Sequence, residues 1–167
     1  DPTESRGLGD VYKRQDVNAI SKIAVNTHLA GAAGTVTGAV LTRLIGGKTD
    51  IVMMLNGALA GLVAITAEPL TPGPITAMII GSIGAVIMYY GTKLLENFGL
   101  DDVVGAIPVH MFAGIFGTLV VPLTNADTSF GTQLIGVISV CVFSFVLSWI
   151  TFSALKSTVG LRISRAA

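Results

Sequence analysis

The chain has 167 residues, of which 51% are apolar and only 12% are charged, and its formal net charge is zero. Soluble globular domains carry about 25% charged residues, so half that share, together with a mean hydropathy of +0.76, indicates a membrane protein. The zero net charge argues against nucleic acid as a partner, and the single cysteine excludes a disulfide framework within the chain.

The first 15 residues, DPTESRGLGDVYKRQ, differ in composition from everything that follows. They hold nearly a third of all formal charges and have no apolar stretch, so they do not form a signal peptide. We expect residues 1–15 to be a disordered leader that derives from a sequencing adaptor or a cloning step. The alternative is an ordinary polar loop of the native protein. Residues 16–167 are expected to form one membrane domain.

Five apolar stretches are long enough to cross the ~30 Å hydrocarbon core as helices, which takes about 20 residues each. We predict helices over about 19–44, 51–67, 75–95, 103–123 and 132–155. The second is close to the lower limit of ~17 residues for a membrane span. Clusters of Gly and Pro separate the stretches. The predicted fold class is therefore an all-α membrane protein with five transmembrane helices.

Lysine and arginine in the short loops predict the orientation, because these residues concentrate on the cytoplasmic side. We assign Arg43 and Lys48 to the loop after the first helix and Lys93 to the loop after the third. The tail after the fifth helix carries Lys156, Arg162 and Arg165. The other two loops have none, and Lys22 is the one cation on the opposite side. We therefore predict that the first helix enters from outside and that the C-terminus is cytoplasmic.

Glycines mark the faces on which these helices are expected to pack, because helices in lipid associate through close backbone contact at small residues. The glycines that we assign to packing are Gly34 and Gly38, Gly57 and Gly61, and Gly114 and Gly117. The fifth predicted helix has only Gly136 and carries four aromatic residues instead. We predict that the first four helices form a bundle and that the fifth is peripheral and faces lipid.

The fourth predicted helix has several polar features near its start. Asp101 and Asp102 precede it, where carboxylates cap a helix and complement its positive end. Pro108 removes one backbone hydrogen bond and should bend the helix next to His110. Irregular backbone at membrane depth is tolerated where it is packed in protein or lines a cavity.

His28 and His110 are the ionisable candidates well inside the predicted spans, and such residues are functional candidates because burying a charge in a membrane is costly. A neutral imidazole offers one donor and one acceptor, which suits a small polar solute. Helical neighbours predict that both rings point toward the bundle. The alternative is a structural histidine bonded to a neighbouring helix, and it weighs more for His28, which is nearer a polar helix start.

Other chemistries find no support in the sequence. No group of Cys, His, Asp and Glu has metal-ligand spacing, and no glycine-rich phosphate loop follows a strand. The serines in the predicted helices lack a nearby base in the sequence and suit hydrogen bonds between helices. We therefore expect no metal, no cofactor and no enzymatic activity.

Two segments in register resemble the ammonium transporter (Amt/MEP/Rh) family. Residues 101–117, with the DD, VH and GxxG elements, are similar to the family helix that bears the second of two pore histidines. Residues 55–66 (LNGALAGLVAIT) resemble the span two helices earlier, and VNT at 25–27 and VGLRIS at 159–164 also match. The resemblance covers about residues 16–164.

The resemblance implies eleven spans, built from an inverted repeat of five and five plus a final helix. The helices of this chain would be spans seven to eleven. It also implies a homotrimer with one pore per subunit, ammonium or ammonia as the solute, a bacterial inner membrane as the location, and a cytoplasmic regulator of the PII type as a candidate partner.

The resemblance implies specific pore positions. His110 would be the second pore histidine and Thr66 a pore-side threonine, whereas His28 matches no pore position. Gly105 stands where the family often has an aspartate, so a role for that carboxylate is in doubt. In the family's mechanism, ammonium binds at an outer aromatic site and loses its proton, and ammonia passes the paired imidazoles. The partner histidine, the aromatic site and a phenylalanine gate belong to spans outside this chain.

Two alternatives come from other functional classes. One is an ammonium sensor, in which the same fold controls a cytoplasmic signalling domain. The other is a non-conducting structural subunit of an unrelated membrane complex. The parent reading frame on both sides of the chain would discriminate among the three.

Overall fold

Five helices joined by short loops make up the computed structural model, which describes residues 4–161, with side chains from Val17 onward. In chain order they are α1 (Glu4–Gly46), α2 (Ile51–Thr66), α3 (Pro74–Asn97), α4 (Ile107–Thr124) and α5 (Phe130–Thr158). The tail cations Arg162 and Arg165, used above for orientation, lie outside the described residues.

The predicted helix boundaries hold to within a few residues except at the start of α1. This helix begins at Glu4, whereas the prediction began it at residue 19. The predicted disorder of the leader is therefore wrong for residues 4–15, whose backbone is helical. Extending an existing helix adds one hydrogen bond for each residue fixed, without a new nucleation cost, and the segment contains no proline after Pro2. The artificial origin of residues 1–15 stays a prediction.

Four helical segments are long and apolar enough to cross a membrane, namely Val17–Gly46, Pro74–Asn97, Ile107–Thr124 and Phe130–Thr158. The fifth helix, α2, has 16 residues and a length of about 24 Å at 1.5 Å per residue. It contacts α1, α3 and α4. One of its faces is buried against these helices, including Asn56, Gly57, Ala60 and Ala64, whereas Ile51 and Leu55 are exposed. The all-α membrane fold is confirmed.

Helices α1 and α2 approach each other until their backbones touch. A Cβ atom built on Gly57 would lie 2.5 Å from the carbonyl oxygen of Gly34, and one built on Gly38 would lie 2.7 Å from the carbonyl oxygen of Met53. Gly61 packs in the same way against the carbonyl group of Ala30. Real Cβ atoms do not come so close to backbone, so the crossing requires residues without a side chain.

Helices α3 and α4 complete the bundle through the same kind of contact. Gly81 of α3 packs on the backbone of Ala30, and Gly117 of α4 packs on the backbone of Ala64. Gly114 is less confined, because a Cβ atom there would meet only the Val63 side chain, at 3.5 Å. The buried clusters between the helices combine alanines with Ile65, Ile80, Met88 and Val109, and α2 contributes to both clusters.

Helix α5 lies outside this bundle, as predicted. None of its residues is buried, and among the described elements it packs only against α4. Its aromatic side chains, including Phe145 (72% exposed) and Trp149 (66% exposed), point away from the rest of the chain. One face of α4 and most of α5 are therefore uncovered in this chain.

We predict that Gly57→Ala lowers the thermal stability of the 167-residue chain in detergent, measured as a decrease in Tm. The added Cβ would overlap the Gly34 carbonyl, and overpacking of this kind costs about 1–3 kcal/mol. Gly136→Ala is the matched control, because nothing lies within 4 Å of its Cβ position. Equal Tm values for the two variants would contradict the backbone contact as the basis of the bundle.

Candidate functional site

A capping carboxylate fixes the start of α4. Asp102 accepts hydrogen bonds from the backbone N–H of Ala106 at Oδ1 (2.9 Å) and of Ile107 at Oδ2 (2.7 Å). These N–H groups have no partner within the helix, so the carboxylate satisfies them and complements the positive helix end. Asp101 is exposed and accepts no such bond within the described residues. The two aspartates assigned as caps therefore differ in their contacts.

Gly105 forms the turn that leads into α4, with φ of +72°, a conformation that glycine adopts without strain. Asn56 of α2 is buried and donates from Nδ2 to the carbonyl oxygen of Val104 (3.1 Å). A Cβ atom on Gly105 would lie 2.7 Å from that Nδ2 atom. Any side chain at this position, including the aspartate considered above, would therefore require Asn56 and the turn to move.

The first turn of α4 is a π-helix over Ile107–Phe112, followed by regular α-helix over Ala113–Thr124. The irregularity falls at Pro108, where the bend was predicted, because proline cannot donate a backbone hydrogen bond. Pro108 and Val109 are buried, and the ring of Phe112 packs against Gly91 of α3. These inward contacts leave His110 on the opposite side of the turn.

His110 is exposed and lines a groove of about 400 Å³ between α4 and α5. The groove is lined by His110, Met111, Gly114, Ile115 and Thr118 from α4 and by Val137, Val140 and Cys141 from α5. The prediction that this ring points into the bundle is wrong. That prediction assumed a regular α-helix, and the wider π-helical turn changes the angular position of each residue in it.

The groove offers one imidazole, that of His110, and one thiol, that of Cys141, against a mainly apolar surface. The imidazole of His110 has no hydrogen-bond partner among the described residues, so both ring nitrogens are available to a solute. The Thr118 hydroxyl already donates to the carbonyl oxygen of Gly114 (2.9 Å) and can only accept a further bond. This arrangement suits a small polar molecule that hydrogen-bonds to a neutral ring.

His28 lies elsewhere and makes a local contact. Its ring is exposed, and Nδ1 lies 2.7 Å from the carbonyl oxygen of Ala24, so the N–H donates to its own helix. Neither predicted environment for His28 holds, because the ring does not point into the bundle and does not bond to a neighbouring helix. A carbonyl one turn earlier satisfies the donor locally, which the spacing of polar residues did not indicate.

Thr66 is at the C-terminal end of α2 and is exposed. Its hydroxyl donates to the carbonyl oxygen of Leu62 (2.6 Å). Thr66 is not among the residues that line the His110 groove. Within this chain the two residues assigned to the pore therefore do not share a cavity.

Asn26 is a structural residue whose importance the sequence analysis missed. It is fully buried, and its Nδ2 donates to the carbonyl oxygens of Pro69 (2.8 Å) and Pro72 (2.9 Å). These bonds hold the α2–α3 loop against α1. Its position as a lone amide in an apolar helix was the available signal, since a buried amide must find partners.

Comparisons with known proteins identify relatives for nearly the whole chain. The family model described as "Ammonium Transporter Family" matches residues 9–167, and the match begins inside the segment 1–15 that was set apart as a leader. Ammonium transporter Amt2 of Archaeoglobus fulgidus is 41% identical over an alignment of 166 residues. The match covers 87% of this chain and 35% of that protein. Putative ammonium transporter sll0537 of Synechocystis is 37% identical, and the match covers 28% of that protein.

Solved structures give the same result for the fold. The structure titled "Sensor Amt Protein" matches with a TM-score of 0.82 and 29% identity, over 87% of this chain and 39% of that one. Candida albicans Mep2 matches with a TM-score of 0.78 and 26% identity, over 87% and 37%. The chain thus spans between a quarter and two fifths of the proteins that it matches here.

We predict that Asp102→Ala destabilises the start of α4 and that Asp101→Ala does not. Loss of an N-terminal cap costs about 1–2 kcal/mol, whereas an exposed substitution without partners stays within about 0.5 kcal/mol. Hydrogen exchange of the Ala106 and Ile107 amides measures the effect locally. Exchange that is equally fast in both variants would show that the carboxylate of Asp102 does not hold this turn.

Proposed function

Because the chain belongs to the ammonium transporter family, we propose that its helices form part of a membrane channel for ammonium or ammonia. The observation that carries the proposal is the position of His110, exposed on the wall of the apolar groove between α4 and α5. A polar ring at membrane depth is costly unless it contacts protein or a solute. A conduction path along this groove gives the ring a partner.

The chemistry of the groove favours a neutral solute over a bare cation. Moving an unpaired cation into an apolar environment is far more costly than moving a neutral polar molecule. His110 in its neutral form can accept a hydrogen bond from ammonia or donate one to it. We therefore propose that ammonium gives up its proton before it reaches His110 and that ammonia passes along the groove.

We propose that this chain supplies the second half of the channel. Its length is about a third of the curated relatives', and the groove is open on the side that α1, α2 and α3 do not cover. In the full-length protein the missing helices would cover this side and contribute a second histidine. Helices α1 to α5 would then be spans seven to eleven of eleven, and Thr66 would line the path near the end of α2.

We further propose the setting of the full-length protein. The loop cations predict a cytoplasmic C-terminus, and location in a bacterial inner membrane is proposed from the family resemblance. A homotrimer with one pore per subunit and a cytoplasmic regulator of the PII type are proposed from the family resemblance. The artificial origin of the leader is proposed on the composition of residues 1–15.

A sensing role is the second candidate, and one comparison favours it. The chain is similar to a structure titled "Sensor Amt Protein", whereas the curated relatives cited above carry the name transporter. Transport is the better supported of the two. A signalling domain encoded downstream of Ala167, together with no measurable ammonium flux, would reverse this preference.

In the full-length protein that contains these residues, we predict that His110→Ala lowers methylammonium uptake or ammonium selectivity by about tenfold or more. A lost hydrogen bond of about 1–1.5 kcal/mol corresponds to a factor of about ten in rate. The matched control is His28→Ala, which removes an exposed ring bonded to its own helix and should leave uptake unchanged. If His110→Ala keeps wild-type uptake and selectivity, the proposed pore role of His110 is wrong and the residue is structural.

We also predict that residues 16–167 alone, reconstituted in liposomes, do not transport methylammonium selectively. The reason is that the His110 groove between α4 and α5 is an open surface groove in this chain and not a closed path. Radiolabelled uptake compared with empty liposomes checks this expectation. Selective uptake by the isolated segment would refute the proposal that further helices complete the path.

A further inference from the structure

Asn56 is a polar residue on an otherwise apolar helix. It lies in the second turn of α2, IVMMLNGALAGLVAIT, and only 9% of its surface is exposed. A buried amide is costly in a membrane helix unless its polar atoms find partners. Its Nδ2 atom donates to the carbonyl oxygen of Val104 (3.1 Å), 48 residues further along the chain. This bond joins α2 to the turn that precedes α4.

The turn between α3 and α4 holds its own shape. The Asp102 carboxylate accepts from two amides at the start of α4, and the Asp102 carbonyl oxygen accepts from the N–H of Gly105 (3.1 Å). These bonds do not connect the turn to another helix. The side chains of Val103 and Val104 are 84% and 69% exposed, so their packing does not anchor the turn either. Among the hydrogen bonds of the described residues, the Asn56 bond is the one that attaches this turn to α2.

The same turn is connected to the residue before His110. The Gly105 carbonyl oxygen accepts from the N–H of Val109 (3.1 Å), and Val109 is 1% exposed in a buried cluster that includes Ala60 of α2. Burial of Val109 fixes one point of this helical turn, and the Asn56 bond fixes a second point. Two fixed points set the direction of the His110 side chain, whereas one point would leave the turn free to rotate.

Asn56 itself is not part of the groove. It is absent from the residues that line the His110 groove, so an effect of Asn56 on a solute in the groove has to act through another residue. We propose that Asn56 is a positioning residue for His110, which holds the start of α4 so that the imidazole faces the groove. The inference rests on the proposed channel function and deepens it, because it names a residue outside the groove on which passage of ammonia depends.

Two substitutions remove the donor and nearly keep the size of the side chain. Asn56→Leu places an apolar group beside the Val104 carbonyl oxygen, and Asn56→Asp keeps the shape, but an ionised carboxylate has no proton to donate. Thr92→Val is the matched control. Thr92 lies on α3 beside the same turn, and its hydroxyl donates to the carbonyl oxygen of Met88 in its own helix (3.0 Å), so its loss does not release the turn.

The first measurement is methylammonium uptake by the full-length protein in liposomes, per amount of folded protein. Asn56→Leu and Asn56→Asp should lower the maximal rate by about three- to tenfold, the effect of one neutral hydrogen bond. The half-saturating concentration should stay within about twofold of the wild type, because the groove lining is unchanged. Thr92→Val should keep the wild-type rate. A wild-type rate in both Asn56 variants would overturn the proposal.

The double variant Asn56→Leu/His110→Ala distinguishes positioning from a general loss of stability. If Asn56 acts through His110, its loss has no further effect once the imidazole is gone, and the double variant should transport at the rate of His110→Ala. A further loss of about three- to tenfold in the double variant, equal to the loss in Asn56→Leu alone, would overturn the positioning role.

The nitrogen NMR signals of the His110 ring give a readout that does not depend on transport. They are recorded for the full-length protein with isotope-labelled histidine in lipid bilayers, are assigned by their loss in His110→Ala, and report on the tautomer and hydrogen bonds of the ring. They should shift in Asn56→Leu and stay at the wild-type position in Thr92→Val, while the His28 signals stay unchanged in both.

Unchanged His110 signals in Asn56→Leu would overturn the positioning role even if uptake falls. If the wild type takes up no methylammonium and the His110 signals still shift in Asn56→Leu, the proposed transport fails and the positioning of the ring by Asn56 is supported. The two failures are therefore distinguishable.

Discussion

Close contact between helix backbones is the constraint on which this structure depends. Helix α2 contacts three other helices because these neighbours have no side chain at the points of crossing, as at Gly34, Gly84 and Gly117. In lipid there is little hydrophobic gain from hiding one apolar helix behind another, so such contacts supply much of the association. The resulting bundle holds α4 by one face, through residues such as Val109 and Ala113, and leaves the other face open.

The direction of His110 follows from how α4 begins. Asp102 caps the helix, Gly105 makes the turn in a conformation that other residues rarely adopt, and Asn56 holds the turn from α2. In the π-helical turn that follows, Pro108 and Val109 are buried and His110 lies on the side of the groove. Asp102 and Asn56 each form a hydrogen bond with a backbone group of this turn. Such bonds matter in a membrane, because no water is present there to pair with a backbone N–H or C=O group. The start of α4 thus sets the position of the site residue.

Much of the fold was predictable from the sequence, because apolar run length and glycine spacing report on single helices and on how closely they pack. The peripheral position of α5 followed from its aromatic residues and its lack of packing glycines. The orientation of His110 was not predictable, since α-helical spacing does not reveal a π-helical turn. The contact of His28 with its own helix and the particular partners of Asn26 depend on the positions of backbone carbonyls, although the lone amide of Asn26 did indicate a need for partners. The proposed covering of the groove involves helices outside this chain, so neither its sequence nor its structure displays them.

A structure of the full-length protein in a lipid bilayer tests the central claim most directly, namely that the groove of His110 is the wall of a conduction path. The account predicts that helices from outside this chain cover the groove, that a second imidazole faces His110, and that a narrow lumen remains between them. A groove that faces lipid in the complete protein, or that is filled by packed side chains without a lumen, would contradict the account.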